Sequence, residues 1–286
     1  MPKKIIEEVL VCPACSGKLR FDTRTAELVC QSCQQTTNSV DDKPIFTQIP
    51  ETIKVTEFRV RGEGRGTPWR QANWDFLDRQ IVDLPADGLV LDVGSGRGDF
   101  SQLIQQRDSL ALDIYPYPEV DIVCDLTQVN PFREDCFDAI VLMNVLEHVF
   151  DTRRFFRELA RILKPGGKLF VAIPFLLKEH QAPFDFVRYT QFSLRRWGEE
   201  SGLEIESLEG YYDSIFLMKQ GSNNLKHTVI PRLPRLRNYF ARILLFGVEL
   251  ITLVMAFLVG NGFTKIPEEE QGPAPIGYHV VYFKPY

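Results

Sequence analysis

At 286 residues with a formal net charge of −5, the chain has room for one large domain and a small one, and it lacks the basic excess that marks most nucleic-acid binders. Six cysteines follow an N-terminus, Met1-Pro2-Lys3-Lys4-Ile5-Ile6-Glu7-Glu8, that carries no sustained apolar run. That pattern argues against a secretory signal and for a reducing, cytoplasmic setting in which thiols bind metal rather than pair.

Cys12-Pro13-Ala14-Cys15 and Cys30-Gln31-Ser32-Cys33 make a C-x2-C…C-x2-C pattern separated by about fifteen residues. Each turn aims two thiolates at one centre, and two turns complete a closed tetrahedral site suited to structural Zn2+. Lys18–Phe21 and Glu27–Val29 read as a hairpin carrying the second turn. A segment this short buries too little surface to fold unaided, so the metal supplies the missing stability. Residues 1–50 therefore read as a zinc ribbon. Residues 51–68 read as a linker, with Arg59, Arg61, Arg65 and Arg70 in a glycine-rich run; a solvated loop is the simpler reading, contact with an anionic substrate the sharper one.

From Trp69 the chain alternates helix and strand. A helix over Trp69–Val82 leads to a strand at Leu89–Val93 and a helix at Asp99–Gln106. Strands follow at Ser109–Asp113, Ile122–Cys124 and Phe137–Leu142, then an amphipathic helix over Asp151–Leu163. Lys164-Pro165-Gly166-Gly167 reads as a turn into a strand at Lys168–Ile173. Gln191–Ser201 reads as a helix closed by Gly202, Leu203–Leu208 as a sixth strand, and Gly277–Phe283 as a seventh, antiparallel one. The fold class is α/β: a seven-stranded, mainly parallel, doubly wound Rossmann-like sheet with an antiparallel last strand, plus the ribbon.

Ligands of such sheets lie at the carboxyl ends of the strands. There Val90-Leu91-Asp92-Val93-Gly94-Ser95-Gly96-Arg97-Gly98 breaks into a glycine turn with an acid before the first glycine, and the next strand ends in Asp113. An acid in the turn repels a pyrophosphate but suits a cationic amino-acid group, and Asp113 is placed to take both hydroxyls of a ribose. A nucleoside bearing a positive charge and no phosphate describes S-adenosylmethionine.

With these motifs the chain resembles the class I S-adenosylmethionine-dependent methyltransferases of type 11, over about Trp69–Ile205 and the last ten residues. The resemblance implies that Asp92, Gly94, Ser95, Gly96 and Gly98 wrap the methionine and ribose parts. It implies that Asp113 and Ile114 bind the ribose and flank the adenine, that Asp125 and Leu126 meet the adenine, and that Asn144 passes under the methionine. The ribbon, through Phe46, resembles small zinc-ribbon proteins that serve as partner subunits of methyltransferases.

Pro174–Thr190 follows the fifth strand beside the cofactor. In it His180 and Asp185 are the candidate base and orienter, and Arg188 a grip for an anionic group; a salt-bridged scaffold of Asp185, Arg188 and Tyr189 is the equal alternative. The loop resembles that of bacterial methyltransferases encoded with cell-surface polysaccharide and glycolipid assembly. His148 reads as packing more than ligand contact, and Cys124 and Cys136 as buried thiols.

Ile243–Val259 is almost wholly apolar apart from Glu249 and Thr252, and Arg232, Arg235, Arg237 and Arg242 precede it. It places an apolar helical insertion at about 225–265 within the methyltransferase domain, 69–286. Because the chain returns to the sheet, a single membrane span is excluded. Three readings compete: a membrane-surface helix that makes the protein peripheral on the inner face of the membrane, a lid or homodimer helix, and a helical hairpin broken near Gly247.

The expected activity is methyl transfer to a small-molecule or lipid-linked acceptor, such as a glycan or glycolipid precursor. The alternatives are an RNA methyltransferase using the ribbon, which the net acidity disfavours, and a non-catalytic scaffold that retains the pocket.

Overall fold

The computed structural model describes residues 2–22, 25, 27–48, 66–212, 214–259, 262–265 and 275–286. The elements, in chain order, are α1 (Pro2–Val9), β1 (Leu19–Phe21), β2 (Leu28–Cys30), β3 (Asn38–Val40), β4 (Lys43–Ile45), α2 (Pro68–Ile81), β5 (Leu89–Val93), α3 (Ser101–Ile104), β6 (Asp108–Asp113), β7 (Ile122–Val123) and β8 (Phe137–Met143). There follow α4 (Thr152–Ile162), β9 (Leu163–Pro174), α5 (Gln191–Glu200), β10 (Glu204–Tyr212), α6 (Ser214–Asn224), α7 (Arg235–Val259), β11 (Gly262–Lys265) and β12 (Gly277–Phe283).

Helix starts follow capping chemistry. Thr67, Asp151 and Thr190 each accept a backbone N–H of the first turn of α2, α4 and α5, and Pro68 occupies a position where a missing N–H costs nothing. In α4, Phe155, Phe156, Leu159 and Ile162 fall on one buried face.

The main sheet runs β11-β10-β12-β9-β8-β5-β6-β7-β4-β3. β9, β8, β5, β6 and β7 are parallel, and β12 inserts antiparallel between β9 and β10. The seven expected strands are all present, and the sheet is longer than expected at both edges. β11, from the apolar insertion, pairs with β10. At the other edge the β3–β4 hairpin joins through β4, with Ile45 beside Val123 of β7.

The N-terminal segment is thus packed on the main sheet. Val11 N–H donates to Pro131 and Arg133 N–H to Val9, and one core runs from Leu10, Leu19 and Leu28 to Leu112, Ile122 and Phe132. The β1–β2 hairpin forms as expected. Of the expected linker, residues 51–65, with Arg59, Arg61 and Arg65, lie outside the described residues; Arg70 forms an ion pair with Asp99.

Several boundaries differ from the sequence reading: α3 is shorter than expected, at Ser101–Ile104, and β10 longer, at Glu204–Tyr212. Lys164–Gly167 stays in β9 as an irregularity rather than a separate turn: the β8 register jumps between Phe137 and Ala139, and Gly166 N–H bonds Lys284 at the C-terminal edge. The insertion begins at Ser214, not near 225, and α7 runs unbroken through Gly247, which removes the broken-hairpin reading. The isolated acid explains its own place. Glu249 accepts from Lys226 at 2.6 Å and from Ser222, so it ties α7 to α6 while Leu245 packs beneath. The other side of α7 is open, with Leu244 72%, Phe246 67% and Ile251 65% exposed. No helix among the described residues is long and apolar enough to cross a membrane.

Candidate active site

The glycine turn after β5 needs backbone that only glycine adopts cheaply. Gly94, Gly96 and Gly98 have φ of 69°, 55° and 71°, and a Cβ on Gly94 would lie 2.3 Å from Val145. A Cβ on Gly96 would meet nothing within 4 Å, which leaves the turn open for a ligand to approach its backbone. Gly96 N–H donates to Asp113 Oδ2 at 2.9 Å and Tyr115 N–H to Oδ1 at 3.0 Å, so the acid at the end of β6 is fixed beside the turn. Each oxygen keeps a lone pair for a further donor.

Burial, with the Asp113 and Asp99 carboxylates beside it, pushes the Asp92 carboxyl up to about 7, and burial raises Asp113 as well. Two crowded acids, with the buried Ser95 Oγ and Tyr115 hydroxyl that have no hydrogen-bond partner among the described residues, at adjoining strand ends, fit a cationic nucleoside that brings hydroxyls and positive charge. The Asp92 shift has a defined sign. Between the ordinary carboxyl value near 4 and about 7, the folded ligand-free chain holds a proton that the unfolded chain has lost, so stability falls as pH rises through that window. Asp92→Asn is expected to raise the melting temperature of the ligand-free protein at pH 8 by a few degrees and to flatten this dependence, while weakening cofactor binding. A lower melting temperature at pH 8 would count against the assignment.

Asn144 ends β8 with φ of 56°, a conformation asparagine tolerates. Its Oδ1 accepts from Trp69 Nε1 at 2.8 Å and from Asn73 at 3.3 Å. Behind it, Asn73 Oδ1 meets His279 Nε2 at 2.7 Å, and the His279 ring stacks on Phe76 and Trp69. Burial holds His279 down at about 3, hence neutral. Trp69, Asn73 and His279 escape sequence reading because the fold, not the spacing, brings them together. Ile114 is half-buried and Leu126 buried beside the site. Asp125 bonds Thr127 and Gln128 of its own turn.

Past Asn144 the chain makes a short turn, Leu146–His148, that grips the Pro174–Thr190 loop. Phe186 N–H donates to Glu147 O at 2.9 Å, and His148 Nδ1 bonds Phe184 O at 2.7 Å. In the loop, Arg188 holds Asp185 bidentately at 2.5 and 2.7 Å and keeps its carboxyl down at about 2, while Asp185 Oδ2 accepts from His180 N–H at 2.8 Å. His180 Nδ1 lies 3.2 Å from Asp185, and His180 Nε2 lies 3.6 Å from Glu147. The facing Glu147 carboxylate raises the His180 pKa against partial burial. Tyr189 is buried and bonded to Thr152, which makes it scaffold. The structure therefore brings His180 and Asp185 together, turns Arg188 inward onto Asp185, and adds Glu147. An acid and an imidazole adjoining in an otherwise apolar run after the central strand were the available signal.

Residues 69–208 match a protein family described as a methyltransferase domain. A mouse protein, "Probable tRNA methyltransferase 9B", is 34% identical over 142 residues, or 43% of this chain and 31% of its own length. A demethylmenaquinone methyltransferase of Renibacterium salmoninarum is 32% identical over 150 residues, 47% of this chain and 61% of its own. The chain thus spans less than two thirds of the curated relatives it matches. A solved structure of Haemonchus contortus phosphoethanolamine N-methyltransferase 2 with S-adenosyl-L-methionine aligns over 76% of this chain and 53% of its own, at 15% identity and a TM-score of 0.44. Residues 69–208 therefore match a methyltransferase domain and carry it on the mainly parallel sheet described above.

Proposed function

We propose that the protein transfers a methyl group from S-adenosylmethionine to a lipid-linked acceptor of the glycan or glycolipid-precursor kind. The observation that carries this reading is the open apolar side of α7, led by the exposed Arg232, Arg235, Arg237 and Arg242. An apolar surface of this extent on a protein marks a binding face, and a basic rim suits an anionic lipid surface. The insertion also touches the acceptor loop, because Gln220 of α6 donates to Leu176 O at 3.0 Å.

The cofactor, when bound, supplies an electrophilic methyl on a sulfonium. Asp92, Gly94, Ser95, Gly96, Gly98, Asp113, Ile114, Asp125, Leu126 and Asn144 are the residues proposed to hold it. An attacking acceptor atom forms its bond to the methyl carbon as the carbon–sulfur bond breaks and sulfur keeps the electron pair. Holding the two partners in line can lower the barrier by roughly 7–11 kcal/mol. His180 stands on the acceptor side. With Nδ1 turned to Asp185 and Nε2 3.6 Å from Glu147, it is the residue proposed to help a hydroxyl acceptor give up its proton. Arg188 is a positioning residue that fixes Asp185.

Cys12, Cys15, Cys30 and Cys33 bring their sulfurs within 4.8 Å of one another, which supports a structural Zn2+. No step of the reaction passes through that site.

A second reading, RNA methylation, is favoured by relatives named as tRNA methyltransferases. Incubating the protein with methyl-labelled cofactor and either a membrane lipid extract or total RNA separates the two. Label in the lipid extract, reduced by Leu244→Glu with Phe246→Glu, supports the proposal. Label in RNA alone overturns it in favour of the second reading. A second copy covering α7 would show instead as a dimer that the same double variant dissociates, with lipid labelling unchanged.

A further inference from the structure

Glu147 is the least explained charged group among the described residues. Its side chain is 0% exposed, and neither carboxylate oxygen receives a hydrogen bond from a described group. A buried carboxylate in that state costs several kcal/mol or more unless something cationic meets it. The two groups within ion-pair distance of it are both imidazoles, with His148 Nε2 3.8 Å and His180 Nε2 3.6 Å from Oε1 and the rings edge to face at 5.0 Å; the Arg188 guanidinium also acts on it but is held by Asp185.

The tautomers of both rings follow from their other nitrogens. His148 Nδ1 faces the carbonyl of Phe184 at 2.7 Å, and His180 Nδ1 faces Asp185 at 3.2 Å and the carbonyl of Lys178 at 3.3 Å. Those neighbours only accept, so both protons sit on Nδ1, and in the neutral rings both Nε2 atoms present lone pairs. Three acceptors, Glu147 and two Nε2, thus converge within 4.8 Å with no donor between them. A proton on His180 satisfies one pair and leaves His148 Nε2 without a partner. One ion bound by all three satisfies the whole set.

We infer that Glu147, His148 and His180 form a binding site for a divalent cation on the acceptor side of the methyltransferase pocket. Two His and one carboxylate on one side of an ion, with the remaining positions open, is a ligand set suited to Zn2+, Fe2+ or Mn2+. Ligand atoms about 2.1 Å from one tetrahedral ion lie roughly 3.4 Å apart, close to the observed 3.6 and 3.8 Å from Glu147 to the two imidazoles, and all three ligand atoms lie within 4.8 Å. The outer partners are those that metal-binding histidines use: a backbone carbonyl on His148 Nδ1 and a carboxylate, itself held by Arg188, on His180 Nδ1. His148 therefore takes a ligand role rather than the packing role its sequence context suggests.

The inference rests on the reading of this cluster as the acceptor side, and it narrows the acceptor to one with an oxygen that can enter the open positions. An ion there lowers the pKa of a bound hydroxyl, whose proton passes to solvent before the oxygen forms its bond to the methyl carbon and sulfur takes the electron pair.

The test is Mn2+ binding, read by the loss of the free-ion EPR signal in the full-length chain carrying a single equivalent of zinc, which the four cysteines take. Mn2+ prefers nitrogen and oxygen ligands to thiolates, so the four cysteines do not compete. The expected result is one Mn2+ per chain, with affinity reduced at least 10-fold in His180→Ala and in Glu147→Gln and unchanged in Asp113→Ala. His180 is on the partly exposed loop, so its variant decides the matter even where Glu147→Gln does not fold. Retained cofactor binding confirms that the variant is folded. No Mn2+ bound by wild type, or equal binding by His180→Ala, overturns the site. No acceptor is needed for this readout, so failure to bind Mn2+ with methyl transfer intact removes only the ion, and Mn2+ binding without lipid labelling removes only the proposed acceptor.

Discussion

Asp113→Ala is expected to weaken S-adenosylmethionine binding about 100-fold or more. The substitution removes the proposed acceptor for two ribose hydroxyls, and hydrogen bonds to a charged group contribute roughly 1.5–3 kcal/mol each. It also frees the Gly96 and Tyr115 N–H groups that Asp113 now holds at 2.9 and 3.0 Å, so the glycine turn loses its anchor to β6. Asn at this position keeps one acceptor and should recover part of the affinity. Calorimetric titration of both variants checks the claim, and an Asp113→Ala protein that binds like wild type would remove the acid from the site. Because Asp113 is buried in the core-facing end of a strand, the melting temperature must be recorded alongside; a folded variant with intact affinity is the informative contradiction.

His180→Ala should lower turnover by about 10²- to 10⁴-fold, the range that general acid–base assistance usually contributes. Cofactor affinity should not change, because the described partners of His180 are Asp185, Lys178 and Glu147 and not the glycine turn. A matched fall in turnover and cofactor affinity would mean that the variant had collapsed the loop. Arg188→Lys separates these outcomes: a lysine keeps the charge but loses the bidentate grip on Asp185, so turnover should fall less than in His180→Ala. Unchanged turnover in His180→Ala would return the residue to a scaffold role.

The backbone of the proposed donor site was legible in the chain because its constraints are local. A strand, an acid and three glycines at fixed spacing force a turn that only glycine tolerates, and Gly94, Gly96 and Gly98 all adopt positive φ. Asp113 was legible for the same reason, since the carboxyl end of the next parallel strand has one place to be. The four cysteines were legible because two turns of fixed geometry define a centre. The acceptor half depends on contacts over long separations. Glu147 meets His180 only because the loop after β9 folds back on the turn after β8, and no spacing encodes that. His279 lies more than 200 residues from Asn73, yet the antiparallel insertion of β12 puts it directly behind the Asn144 side chain.

Edges were the other blind spot. Strand patterns placed seven strands, but nothing in Asn38–Ile45 announces that it extends the sheet beside β7 through a single parallel pair. The same holds for Gly262–Lys265, whose pairing with β10 brings the apolar insertion back onto the sheet. The consequence for function is physical. The N-terminal hairpin is fastened to one edge of the main sheet and the α6–α7 insertion to the other, and the proposed methyl-transfer site lies at the strand ends between them.

The most direct test is a crystal structure of the full chain with S-adenosylhomocysteine. The account predicts ribose hydroxyls on Asp113, the amino group beside Asp92, and the sulfur turned toward Glu147, His148 and His180. A ligand bound elsewhere, or a sulfur pointing away from those three side chains, would contradict it.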